Sequence, residues 1–161
     1  MKPPESPVQA AADVLNSIMT GQREAILSTV SSDGRPHATW MSTMTNDDIS
    51  KIITLTSPDS HKVENIEFNP EVEWLFTAPN KRELVYLHGT AEIIRDVAKM
   101  KKAWQAVPNK QRAFFLNFFT SAPGYAVIET TVRKVVYGMP AHNFFHEFDP
   151  EELASQAVGQ S

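Results

Sequence analysis

From Arg23 onward the chain is written in short stretches whose apolar residues recur at every second position, each closed by a turn signal. That period restricts the fold to strands paired by local turns. Residues 25–30 read as a strand, Ser31-Ser32-Asp33-Gly34 as a hairpin turn, and residues 36–44 as the partner strand. Asn46-Asp47-Asp48 makes the next turn and residues 51–56 a third strand. A fourth covers residues 72–77, and a long fifth runs over 83–94 with an interruption at Gly89. Residues 125–131 and 134–138 finish the sheet. The helices between them are short: residues 60–68, residues 97–107 capped by Asp96 and closed by Pro108, and a phenylalanine-rich piece over 110–119. Ahead of the strands, Ser6-Pro7-Val8-Gln9 forms a capping box with proline at the first helical position. Val8, Ala11, Ala12, Leu15, Ile18 and Met19 then give one apolar helical face, which Gly21 ends. Consecutive hairpins with only short helices between them specify an antiparallel barrel or sandwich, not a parallel sheet.

The 161 residues suffice for one domain with its own core. A net charge of −4, with no basic stripe, gives no footing for non-specific nucleic-acid binding. Lys99, Lys101 and Lys102 read as a solvated helix face. The absence of cysteine excludes disulfides, thiolate nucleophiles, cysteine-ligated zinc and iron–sulfur clusters. No apolar run is long enough to cross a bilayer, and the first residues lack the apolar segment of a signal peptide. A cytoplasmic protein with no membrane partner is the expectation. Neither GxGxxG after a strand nor GxxxxGK[ST] occurs, so the usual dinucleotide and triphosphate cradles are missing.

Chemistry concentrates in residues 54–70. A β-branched run ends in Ser57-Pro58-Asp59, a helix begins with Ser60-His61-Lys62, and Asn69-Pro70 stops it. The unpaired N–H groups of a helix's first turn carry partial positive charge; a hydroxyl and a lysine at the same end complete an anion site. The helix end alone contributes about 0.3–1 kcal/mol at an exposed site, so Ser60 and Lys62 carry weight. The alternative is a plain helix start with a surface lysine.

These residues resemble a known family. Asp33-Gly34-Arg35-Pro36-His37-Ala38-Thr39-Trp40-Met41 is similar to the second-strand segment of the pyridoxamine 5′-phosphate oxidase-like FMN-binding split barrels. Thr56 to Lys62, with Asn69-Pro70, resembles their phosphate-binding turn, and Gly89-Thr90-Ala91-Glu92-Ile93 the glycine-containing strand that follows. The match runs in order over roughly residues 20–106 and is nearest the general-stress-protein-like branch. It implies a mainly β (α+β) fold, an antiparallel split β-barrel with an N-terminal helix and short peripheral helices. It further implies a homodimer with FMN in clefts between subunits and a small-molecule substrate. The flavin ring would lie along Pro36, His37, Ala38, Thr39, Trp40 and Met41. Leu55 and Thr56 would sit beside the ring and ribityl chain, and Ser60, His61 and Lys62 would take the phosphate. The family often carries arginine where this chain has His61, a departure that bears on affinity more than on ligand class. The basic, tryptophan-bearing end of true pyridoxamine phosphate oxidases has no counterpart in residues 132–142, so vitamin B6 oxidation is not expected. The domain would cover residues 6–149, after a flexible lead-in over 1–5 and before a polar tail over 150–161 that frays or forms a loose helix.

The resemblance implies an FMN-dependent oxidoreductase passing electrons from a reduced donor to a small organic acceptor; no catalytic side chain is assigned. The alternatives are a non-catalytic flavin-binding or flavin-sensing protein, or the same barrel holding a deazaflavin or haem. His142 and His146, four apart, would share a helical face as a zinc pair does, or supply a haem ligand. The competing reading is an aromatic tail packed on the barrel, with no metal site. Arg35 could reach the phosphate or be solvated. Trp40 could stack near the flavin, or lie in the core or at a subunit interface. Trp74 and Trp104 read as packing residues, and Phe114, Phe115, Phe118 and Phe119 as core or as a cover over the cofactor cleft.

Overall fold

The computed structural model describes residues 1–21, 23–42, 44–48, 50–108 and 124–158. Helix α1 (Pro7–Thr20) comes first, capped by the Ser6 hydroxyl, which accepts from Gln9 N–H at 3.2 Å. Then follow β1 (Ala25–Val30), β2 (Pro36–Met41), β3 (Met44–Asp48) and β4 (Lys51–Thr56). Helix α2 (His61–Phe68) leads to β5 (Glu71–Thr77) and β6 (Leu84–Ile94), and α3 (Val97–Ala106) follows. β7 (Ala126–Met139), a single 3₁₀ turn (Pro140–His142), β8 (Phe144–Phe148) and α4 (Pro150–Val158) complete the chain.

All strand pairs are antiparallel, in the order β2-β1-β5-β6-β7-β4-β3, with β8 on the far half of β7. The first and last strands of that path, β2 and β3, are separated in sequence by only residues 42 and 43. Cα atoms joined by trans peptides are about 3.8 Å apart, so the two edges lie within about 11 Å of each other. Only a curled sheet satisfies this, and the split barrel follows. Inside the curl, Trp74 of β5 donates its indole N–H to Thr130 Oγ1 of β7 at 3.0 Å, bypassing β6.

The main core fills this interior with Leu27, Met44, Trp74, Phe76, Val85, Ile128 and Tyr137, and α1 adds Ala11, Val14, Ile18 and Met19. A smaller core lies under α3, where Leu55, Ile94 and Val127 meet Met100, Ala103 and Val107. β4 and the start of β7 are therefore buried on both faces. The Trp74 side chain is fully buried, and Trp104 packs on Tyr125 with ring centroids 5.3 Å apart, as packing residues should.

Three local readings are corrected. Residues 36–44 are two strands, not one, because the chain crosses from one sheet edge to the other between Met41 and Met44. Residues 46–48 belong to β3 and not to a turn. β7 is one strand of 14 residues. Its pairs His88↔Lys134 and Gly89↔Val132 leave Arg133 unmatched, and that bulge switches the inward set from Ile128, Thr130 and Val132 to Val135, Tyr137 and Met139. Of the two expectations for the polar tail, the helix holds over Pro150–Val158 as α4, and its Leu153 is fully buried in the main core. The phenylalanine-rich expectation over 110–119 lies outside the described residues. No described helix is long and apolar enough to cross a membrane.

Candidate functional site

Helix α2 is held by one buried polar bond: Asn65 Nδ2 donates to Thr29 Oγ1 of β1 at 3.0 Å. Val63 and Ile66 pack inward on either side of it. The helix start is thereby fixed at the end of β4, beside β2.

Ser60 occupies the N-cap with extended backbone (φ −74°, ψ 150°), yet its side chain caps nothing. Its Oγ is buried and has no hydrogen-bond partner among the described residues. A buried hydroxyl left unmatched costs about 1–3 kcal/mol unless a ligand or water meets it. Lys62 is half-buried and donates from Nζ to Thr56 Oγ1 at 2.9 Å. Burial pushes its amine below the ordinary lysine range. No carboxylate lies within ion-pair distance of Lys62 among the described residues. A desolvated cation with no counter-ion among the described residues and an orphaned hydroxyl thus stand within three residues of each other at the start of α2.

The hairpin motif reaches the same place. His37 of β2 and His61 of α2 stand with ring centroids 6.2 Å apart. β2 ends the strand path and pairs only with β1 among the described residues. In an antiparallel pair alternate residues direct N–H and C=O away from the partner, so β2 presents a row of hydrogen-bonding groups outward. Pro36, His37 and Ala38 are exposed and Thr39 is half-exposed. Trp40 is 63% exposed, which removes the reading that places it in the core of its own chain.

Not every anticipated residue offers its side chain. Met41 faces the main core, and Leu55 is buried beneath α3. Arg35 pairs with Asp33 at 3.2 Å inside the hairpin turn and points to solvent. His142 lies in the 3₁₀ turn and His146 in β8, so they share no helical face. No group of metal-ligating side chains exists among the described residues. One feature the sequence does not signal is a cleft of about 530 Å³ on the other flank of α2, lined by Ser60, Glu64, Ile94, Arg95, Met100 and Tyr125. Ser60 alone belongs to both places.

The family sequence profile described as Pyridoxamine 5′-phosphate oxidase matches residues 11–137. No curated protein matches. Among solved structures, a general stress protein 26-related protein from Clostridium acetobutylicum superposes with a TM-score of 0.74 at 20% identity, covering 90% of this chain and 98% of that one. The General Stress Protein 26 of Bacillus anthracis is 26% identical, with a TM-score of 0.63 and coverages of 85% and 98%. A haem-binding protein from Mycobacterium smegmatis gives a TM-score of 0.71 at 17% identity; the match covers 96% of this chain and 62% of that one. Hairpin, helix start and glycine-bearing strand all fall within the matched residues, and the chain belongs to the pyridoxamine 5′-phosphate oxidase family.

Proposed function

We propose that the chain is an FMN-binding flavoprotein that works as a homodimer and passes electrons from a reduced donor to a small organic acceptor. The observation that carries this reading is the orphaned Ser60 hydroxyl close in sequence to Lys62, which has no counter-ion among the described residues, at the start of α2. The residues present fit the group. Ser60, His61, Lys62 and the first-turn N–H groups take the phosphate, with Thr56 holding Lys62 in place. The outward backbone of residues 36–41 meets the polar edge of the ring system, which needs alternating donors and acceptors. Leu55 contributes through its backbone, its side chain being committed to the α3 core.

The hydride and electron chemistry belongs to the bound flavin, and the protein's part is placement and hydrogen bonding. This division explains why no side chain stands out as an acid or base. The exposed strand β2 and Trp40 form an open wall, which a second copy of the chain closes into a crevice. The test is titration of the purified protein with FMN, followed by flavin fluorescence, and then addition of NADH or NADPH. Saturable quenching, bleaching by the donor and recovery with a quinone or nitroaromatic acceptor support the reading. Saturable quenching without bleaching selects the flavin-binding or flavin-sensing alternative. Failure to quench rejects FMN.

A further inference from the structure

His37 and His61 come from the two motifs that define the site, the hairpin strand and the helix start, and face each other across the gap between them. We propose that this pair is a proton-linked clamp: the phosphate of the flavin is held with uptake of a proton by the two imidazoles, and the grip loosens as pH rises. The inference rests on the FMN reading and names the regulation of that same site.

The electrostatics run in one direction. Lys62 sits on the same helix start without an acidic partner among the described residues, so the site without its ligand already holds a positive charge. A dianionic phosphate between the two rings favours the protonated form of either, because an opposite charge within about 4–6 Å stabilises the imidazolium. Binding and protonation are therefore coupled, and imidazole is the side chain whose ordinary titration falls in the physiological range.

The other charged groups around the pair do not cancel this effect. Asp33 of the hairpin turn feels the charge of His37, but its carboxylate accepts from the Ser31 hydroxyl and pairs with Arg35. Asp59, in the loop before α2, accepts from Ser57 at 2.7 Å. Glu64 lines the cleft on the opposite flank of α2. On β1, the residue opposite His37 is the neutral Thr29. An arginine at position 61 would hold its charge at every accessible pH; a histidine there gives the site a dependence that arginine cannot.

The experiment measures dissociation constants for FMN and for riboflavin between pH 5.5 and 8.5, by fluorescence quenching, in the unaltered protein and in His61→Arg, His61→Asn and His37→Asn. Ionisation of the free phosphate is common to every variant and drops out of the comparison. One coupled proton corresponds to about a tenfold change in affinity per pH unit over the imidazole range. Relative to His61→Asn, the unaltered protein should lose up to about a hundredfold in FMN affinity between pH 6 and pH 8 on this scale. His61→Arg should bind FMN without that loss, His37→Asn should show a shallower slope, and riboflavin should show none. Parallel pH profiles for all four proteins overturn the clamp and leave the FMN reading standing. No quenching by FMN at any pH removes the FMN reading and the clamp with it. Both histidines are exposed, so the substitutions leave the core untouched, and folding of the variants is checked simply by circular dichroism.

Discussion

Asn65 of α2 and Thr29 of β1 share a buried hydrogen bond of 3.0 Å, and through it α2 is tied to the barrel wall. Asn65→Ala strands the Thr29 hydroxyl and should cost about 1–3 kcal/mol in urea unfolding. FMN affinity should fall with it, because Ser60 and Lys62 lose their anchor. The double variant Thr29→Val/Asn65→Leu removes both polar partners and should recover most of that stability.

Lys62 couples binding to stability. Among the described residues its Nζ meets Thr56 but no carboxylate, and Lys62→Ala should weaken FMN by about 1–3 kcal/mol, the scale of a charge-assisted hydrogen bond. Burial lowers its folded-state pKa, so between the folded and unfolded values the unfolded chain binds more protons. Stability of the ligand-free protein therefore rises with pH through that interval. Lys62→Met should raise the Tm of the ligand-free protein at neutral pH, and the gain should shrink as pH approaches the lysine range. Thermal melts at two pH values, with an FMN titration, check both signs.

Gly89 permits the bulge in β7. A Cβ at that position would lie 2.1 Å from the carbonyl oxygen of Thr131, which is backbone and cannot swing aside. Gly89→Ala should destabilise by about 1–3 kcal/mol, the range for overpacking, in chemical denaturation. A smaller loss would mean that the β6–β7 register relaxes more easily than the pairing suggests.

The last helix is structural. Leu153 is fully buried among residues of the main core, and α4 lies against α1 and β7. Leu153→Ala should cost about 2–5 kcal/mol. Removing residues 150–161 should give a protein that binds an apolar dye such as ANS, the sign of an uncovered core.

Where side-chain alternation met a clear turn, the sequence was readable: β1, β4 and β5 fall within a residue of expectation, as does α2. It was unreadable where a backbone event broke the period. The unmatched Arg133 flips the inward face of β7, and a parity change on paper is the same as a strand end. The crossing between Met41 and Met44 is invisible for a different reason: both methionines face the core, and only the strand order shows that they stand at opposite edges. Residues 150–158 look polar because one leucine supplies the main anchor. Residue type and spacing also put Ser60 and Lys62 at a helix start, where the structure has them. The commitment of Leu55 to the α3 core and the approach of His37 to His61 are long-range facts that no local pattern encodes.

The visible absorption spectrum of the freshly purified protein, read alongside its elution volume, tests the FMN-binding claim most directly. Oxidised-flavin bands, released as FMN on denaturation and co-eluting with a dimer, are the predicted result. A Soret band, or a protein that stays colourless and does not take up FMN when the cofactor is supplied, contradicts it.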